Sequence, residues 1–357
     1  MLVYDTSDGV PEDDRYMQRC IDLARSGLGF TAPNPMVGAV VVHQGRILGE
    51  GYHRRHGDLH AEVRAIEAVK NKALLKRSTL YVSLEPCCHH GKTPPCTDLI
   101  IREQIPRVVI GAVDPFDQVA GKGIARLSSF GCEVRVGVLK DACRQLNKRF
   151  FTFHEKKRPY VILKWAQTAD GFIDVDRGSG AARRPTWITS EKLRMLVHKW
   201  RSEESAIMVG TNTAMKDDPR LNVRDWTGPS PLRVVLDREL RLPGGLKLMD
   251  NNEATIIINE TREQRLKKTR YVALPFDEQL LEQVMRLLYE EGRQSLIVEG
   301  GRQLLQSFID QDRWDEARIF TGTQFFGRGI RAPQISPNKP MSQIIIGKES
   351  FFCCKNH

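Results

Sequence analysis

The chain has 357 residues, 41% of them hydrophobic and 27% charged, a balance that excludes extensive disorder and, at this length, favours two domains over a single core. Its longest unbroken apolar run, residues 36–42, is far shorter than the roughly 20 residues needed to span a bilayer. A formal net charge of +10 points to anionic partners, either nucleic acid or phosphorylated small molecules, without choosing between them.

The acidic N-terminal stretch lacks the basic or apolar character of a targeting peptide, so the cytoplasm is the expected compartment. Eight cysteines without a secretory signal read as thiols or metal ligands. Met17, Cys20, Ile21, Ala24 and Leu28 recur at helical spacing behind acidic residues, predicting a helix over 13–28. Segments 37–43 and 46–53 flank Gln44-Gly45 and predict a hairpin, and 60–69 has the period of a helix packed on it. Segments 79–84, 107–113 and 133–138 read as short buried strands, with helices near 97–103, 123–130 and 141–151. Such alternation implies an α/β layered sheet.

The charged segment 154–159 ends in proline and a new strand follows it, which divides the chain into domains 1–153 and 159–357. In the second domain, strands are expected near 160–166, 206–209, 233–236, 255–258, 295–299 and 318–321. Helices are expected near 191–200, 277–290 and 301–310. The two halves share no internal repeat.

Zinc bound for hydrolysis needs three histidine or cysteine ligands and one open position. His60, Cys87 and Cys96 supply such a set. His60-Ala61-Glu62 opens a predicted helix and Pro86-Cys87 follows a predicted strand, so the ligands fall at element junctions, where helix N-termini favour thiolates. Glu62, two residues beyond the histidine, lies beside the metal without binding it. It is assigned to take a proton from the attacking water and return it to departing ammonia. Zinc deaminases carry H-x-E followed by P-C-x-x-C. Here eight residues separate the cysteines instead of two, and the insertion reads as a substrate loop. Cys88 points away from its neighbour and is set aside. A closed structural zinc knot would have no need of Glu62.

With Ala32-Pro33-Asn34-Pro35-Met36-Val37-Gly38, His60-Ala61-Glu62-Val63, Glu85-Pro86-Cys87 and Gly91-Lys92-Thr93-Pro94-Pro95-Cys96 in order, the chain resembles the bifunctional riboflavin-biosynthesis deaminase/reductases over nearly its whole length. The resemblance implies a cytidine-deaminase-like three-layer α/β/α domain holding one zinc, followed by a dihydrofolate-reductase-like α/β domain that uses NADPH. It places Asn34, His53, His89 and Lys92 around the pyrimidine and its phosphate, where a lysine acts as a point charge.

Downstream, Leu163-Lys164-Trp165-Ala166, Ala169-Asp170-Gly171, Trp187-Ile188-Thr189-Ser190 and the stretch 209–224 carry the likeness to the reductase half. The resemblance puts Ala166, Trp187, Thr213 and Asp217, together with Gly301, Arg302, Gln303, Leu304, Leu305, Gln306 and Ser307, on the nicotinamide cofactor. It puts Arg201, Leu221, Arg224 and Glu299 on the substrate, and the two arginines suit a phosphate. Glu299-Gly300-Gly301 ends a strand and opens a helix whose backbone N–H groups can receive a phosphate. Between Ile173 and Trp187 the chain is longer and more basic than the family pattern, with Pro185 where a serine contact is expected. Thr186 or the extra arginines are candidates to replace that contact.

The implied reactions are hydrolytic deamination of a diaminopyrimidinone ribosyl phosphate and NADPH-dependent reduction of the ribosyl group to ribityl. Both act on phosphorylated pyrimidines rather than nucleic acid or membrane, in a homo-oligomer, dimer or tetramer. Lys164 and Asp217 both stand as groups that position or protonate the sugar. Two rivals remain. One is a tRNA or nucleoside deaminase whose second half binds its target, disfavoured by the long cysteine loop and the scarcity of interleaved aromatics. The other is a zinc-stabilised binding protein whose reductase-like half has lost activity through the altered segment 174–186.

Overall fold

The computed structural model describes residues 11–89, 94–116, 119–176 and 184–356, and the counts below refer to these residues. The chain divides into two compact units, Met1–Lys156 and Lys157–His357.

The first unit begins with α1 (Glu12–Arg25), whose first turn carries Glu12, Asp13 and Asp14 and whose last carries Arg25, each matched to the end of the helix dipole it occupies. The hairpin β1 (Gly38–His43) and β2 (Arg46–Tyr52) turns through Gln44 and Gly45, both at positive φ, the requirement of a two-residue turn that matches strand twist. Gly38 is obligatory for packing, because a Cβ there would stand 2.0 Å from the Cys20 carbonyl oxygen of α1. After α2 (Ala61–Ala68) come β3 (Thr79–Leu84), α3 (Cys96–Arg102), β4 (Arg107–Ala112), α4 (Lys122–Ser129), β5 (Glu133–Val136), α5 (Lys140–Leu146) and α6 (Lys148–Lys156).

The five strands form one sheet in the order β2-β1-β3-β4-β5, with β3, β4 and β5 parallel. Alternation along β1 sends Val40 and Val42 into a core shared with α1, α5 and α6, and Ala39 and Val41 into a core shared with α2, α3 and α4. The expected three-layer α/β/α arrangement is therefore present.

Two local expectations change. The single helix expected over 141–151 is broken at Asn147, whose buried side chain accepts the Met36 N–H and donates to the Met36 carbonyl, both at 2.8 Å. The third strand, expected to be buried, is the largely exposed edge strand β5.

The second unit runs β6 (Tyr160–Gln167), β7 (Phe172–Asp174), α7 (Glu191–Glu203), β8 (Ala206–Gly210), α8 (Thr211–Asp217), β9 (Leu232–Leu236), β10 (Thr255–Asn259), β11 (Gln264–Leu266), β12 (Thr269–Ala273) and α9 (Leu280–Glu290). It continues with β13 (Ser295–Gly300), α10 (Arg302–Asp310), β14 (Glu316–Thr321), β15 (Ile330–Arg331), β16 (Met341–Ile346) and β17 (Glu349–Lys355). Its main sheet has the order β11-β12-β10-β9-β8-β13-β6-β14-β17-β16. The strands from β12 to β14 are parallel, and the β16–β17 hairpin adds to β14 in antiparallel fashion.

Parallel strands must be covered on both faces. α9 and α10 cover one face through Val284, Leu288, Leu305 and Phe308, and α7 and α8 cover the other through Leu193, Val197, Trp200 and Ala214. The carboxyl ends of β6, β8 and β13 then open onto a common crevice, the usual ligand position in sheets of this type. No helix among the described residues is long and apolar enough to cross a membrane.

Candidate functional site

In the first unit, His60 caps α2, Cys96 is the first residue of α3, and Cys87 follows β3 by three residues. The chain enters each position from a strand or loop and leaves into a helix or turn, which brings three distant side chains together beyond the carboxyl end of the central strand β3. His60 Nδ1 lies 3.5 Å from Cys87 Sγ and 3.3 Å from Cys96 Sγ, and the three ligand atoms all fall within 4.8 Å of one another. A tetrahedral ion with bonds of about 2.0 Å to nitrogen and about 2.3 Å to sulfur has edges of this size, so the donor set fits zinc in number, type and spacing.

The Cys96 backbone N–H also points at Cys87 Sγ, 3.4 Å away. Hydrogen bonding from Cys96, aided by His60, holds the Cys87 thiol down to about 4, whereas Cys96 is pushed well above the ordinary thiol range by Cys87 and by burial. The hydrogen bond with Cys87 raises His60 to about 9. An ion held here requires both thiols ionised and the imidazole neutral, so its binding displaces the protons these groups carry. Calorimetric titration of the stripped protein with zinc, run in buffers of different ionisation enthalpy, is expected to show release of about two protons per ion and affinity falling as pH falls. Release of none would contradict the ligand assignment.

Glu62 sits in the first turn of α2, only 3% exposed. Burial raises its carboxyl to about 7, against the opposing pull of His60. A proton-shuttling group is most effective near the working pH.

Around this centre, His53 is buried. Its Nδ1 pairs with the Leu59 carbonyl at 3.1 Å, which fixes Nε2 as acceptor for Asn34 Nδ2, also at 3.1 Å. The His53 ring meets the His60 ring edge-on at 5.4 Å. The structure thus brings Asn34 and His53 to the metal ligands. His89 is exposed on the loop after Cys87, and Lys92 lies outside the described residues.

Sequence reading missed Glu85. This buried carboxylate accepts backbone N–H groups from Asp114, Gly121, Gly123 and Ile124 at 2.9–3.3 Å. It ties the strand end that carries Cys87 to the loop and helix opposite. Asp114, raised to about 6 mainly by burial, shares that loop. An acidic residue immediately before Pro-Cys was the only available signal.

In the second unit a cavity of about 1250 Å³ opens at the strand ends. Ala166, Trp187, Arg201, Thr213, Asp217, Leu221, Arg224, Glu299 and residues 301–307 all contribute to its wall. Glu299, on β13, is gripped by Arg201 of α7 through two hydrogen bonds of 2.8 and 2.7 Å, and Lys164 of β6 stands 3.7 Å away. Arg201 holds the Glu299 carboxyl down to about 2, and burial lowers Lys164.

Gly301 adopts φ 73° at the start of α10, and Thr213 packs so closely that a Cβ on Gly300 would lie 2.8 Å from its methyl. A bare helix N-terminus beside glycines is the cradle a dinucleotide phosphate requires, so these residues fit NADPH. Leu304 and Leu305 of α10 also belong to the core, which leaves backbone rather than side-chain contacts as their means of meeting a cofactor. Trp187 is half exposed, with the Arg194 guanidinium 4.5 Å over its ring. Pro185 lines the cavity, and the Thr186 hydroxyl donates to Asp174 at 2.7 Å.

A family model described as the cytidine and deoxycytidylate deaminase zinc-binding region matches residues 10–112, and the RibD C-terminal domain matches 159–344. The riboflavin biosynthesis protein RibD of Aquifex aeolicus is 42% identical over 323 residues, covering 89% of each chain. The Escherichia coli protein of that name is 34% identical over 90% of each. The crystal structure of a diaminohydroxyphosphoribosylaminopyrimidine deaminase/5-amino-6-(5-phosphoribosylamino)uracil reductase from Thermotoga maritima superimposes with a TM-score of 0.85 at 39% identity, covering 96% of this chain and 98% of the other. Two matched domains in this order, a zinc-type donor set in the first and a dinucleotide cradle in the second agree with one another, and the chain belongs to the RibD family of riboflavin-biosynthesis proteins.

Proposed function

We propose that the first unit hydrolyses the amino group of 2,5-diamino-6-(5-phosphoribosylamino)pyrimidin-4-one, releasing ammonia. The second unit then reduces the ribosyl group of 5-amino-6-(5-phosphoribosylamino)uracil to ribityl with NADPH. The observation that carries the reading is the pairing of a three-ligand zinc-type site with a buried carboxylate, Glu62, in the first turn of the helix that His60 opens.

When bound, zinc supplies a Lewis acid that makes water nucleophilic near neutral pH. Glu62 receives the proton of the attacking water and gives it to the leaving amine. Asn34 and His53 orient the ring, with His89 and Lys92 assigned to its phosphate side. In the second unit NADPH supplies the hydride. Arg201 and Arg224 hold the substrate phosphate, while Glu299 and Leu221, both on the cavity wall, orient the sugar. Trp187, Thr213, Asp217, Ala166 and the α10 N-terminus hold the cofactor. Lys164, within reach of Glu299, is the better placed of the two groups considered for protonating the sugar.

Assay of the purified protein for ammonia release from the pyrimidinone phosphate and then for NADPH consumption tests the pair of reactions. Failure of the second alone would favour a chain whose reductase half is inactive. Lys164, Arg201 and Arg224 line the cavity of the second unit, which supports small phosphorylated substrates over nucleic acid.

We further read the chain as a homo-oligomer. The edge strand β16 is exposed over its first five residues, with Ile344 56% and Ile345 72% accessible, and an unprotected apolar edge invites pairing with a second strand. Ile345→Lys is expected to shift the sedimentation coefficient to that of the monomer. An unchanged coefficient would remove β16 from the interface.

A further inference from the structure

His198 is a buried, titratable side chain on the cavity wall to which the reactions above give no task. It projects from α7, 3% exposed, one turn before Arg201. Its Nδ1 accepts the backbone N–H of Arg224 at 3.4 Å, and its Nε2 lies 3.1 Å from Asp225 Oδ2. An Nδ1 that accepts an N–H carries no proton, so Nε2 must hold one and donate it to Asp225. The ring therefore has one tautomer and no free valence.

Burial, with the Arg201 and Arg224 guanidiniums nearby, pushes His198 down to about 4, which keeps it neutral in that tautomer. Arg201 adds a third tie from the same helix face, donating to the Asn222 carbonyl at 3.3 Å. The segment thus clamped begins at Leu221, a buried residue held at φ 51°. That backbone conformation is disfavoured for a residue with a γ-branched side chain and persists only when its surroundings impose it.

Asp225 is placed to interfere. Its Oδ2 lies 3.5 Å from Arg224 Nε as well as 3.1 Å from the His198 ring. A substrate phosphate approaching Arg224 competes with this carboxylate for the guanidinium, and the His198 N–H draws the carboxylate the other way.

We propose that His198 is a positioning residue of the reductase site: it fixes the backbone of Arg224 and restrains Asp225, so that the Arg224 guanidinium faces the cavity free to bind the substrate phosphate. The inference rests on the reading of Arg224 as a phosphate ligand, and on nothing in the deaminase site.

The experiment is steady-state kinetics of the full-length protein on the phosphorylated uracil substrate, with NADPH affinity measured separately by fluorescence titration and ammonia release as a check on folding. His198→Ala is expected to raise KM for the substrate by 10-fold or more, and by more than it lowers kcat, with NADPH affinity and ammonia release retained. His198→Asn, whose carbonyl can still accept the Arg224 N–H, is expected to recover a large part of that loss. Asp225→Asn in the His198→Ala background is expected to lower KM again by removing the competing charge.

Arg224→Ala serves as reference. If it raises KM while His198→Ala does not, the positioning role is wrong and the phosphate reading stands. If Arg224→Ala leaves KM unchanged, both are overturned. Equal loss of kcat, NADPH affinity and thermal stability in His198→Ala and His198→Asn would mean a merely structural histidine and would also overturn the proposal.

Discussion

Glu62→Gln is expected to lower ammonia release by about 10²–10⁴-fold, the usual contribution of a positioned acid–base group, while the protein keeps about one zinc per chain. The substitution preserves size and hydrogen-bonding capacity, but an amide cannot take up and return a proton as the carboxylate does. Glu62 is close to the ligand set yet outside it, so His60, Cys87 and Cys96 still form a complete donor triangle. The reductase activity of the same molecules, which depends on residues of the other unit, is expected to persist. Deamination within tenfold of the parent would remove Glu62 from the mechanism. Loss of zinc together with activity would make it a ligand instead.

Glu299→Ala is expected to abolish substrate reduction and to destabilise the second unit by about 3–5 kcal/mol, the usual cost of removing one partner from a buried ion pair. The Glu299, Arg201 and Lys164 side chains are only 6%, 11% and 15% exposed. Removing the carboxylate leaves two largely buried cations without their counter-charge. The pair also sets a pH dependence. The Glu299 pKa is depressed from 4.5 to about 2 in the folded protein, so its stabilisation is complete above about pH 4.5 and is lost as pH falls toward 2. Thermal unfolding of parent and variant at pH 7 and pH 3 checks both effects. Equal transition temperatures at pH 7 would show that the ion pair contributes nothing to folding.

The two sites were not equally legible in the sequence. The zinc site is written in two short contiguous motifs, because His60 and Glu62 share one helix turn and Cys87 and Cys96 bracket one loop. Local spacing therefore encodes most of its geometry. Lys164, Arg201 and Glu299 come from β6, α7 and β13, and their pairing depends on strand order, which spacing does not record. Glu85 and His198 were invisible for the same reason, since their partners lie 29–39 and 26–27 residues away along the chain.

Regular elements followed the same division. β12 went unread because its buried Thr269, Tyr271 and Val272 are interrupted by Arg270, but the other buried strands of the two main sheets announced themselves as apolar runs. The hairpin of β16 and β17 did not, because β16 is exposed at all but its last residue and carries no inside-outside alternation. The helix α8 falls in the polar stretch 209–224, whose strand-to-helix character shows in the sequence but whose helix bounds do not, and Asn147 broke a helix through tertiary hydrogen bonds to Met36 that no local propensity contains.

Deamination by this chemistry requires a zinc ion held by three protein groups with a fourth position open to water. X-ray absorption spectroscopy of the zinc-loaded protein measures this directly. One nitrogen and two sulfurs with one further light-atom ligand, the latter displaced by a substrate-like pyrimidine, is the predicted result. A shell closed by a fourth protein ligand, or one lacking either sulfur, would contradict it.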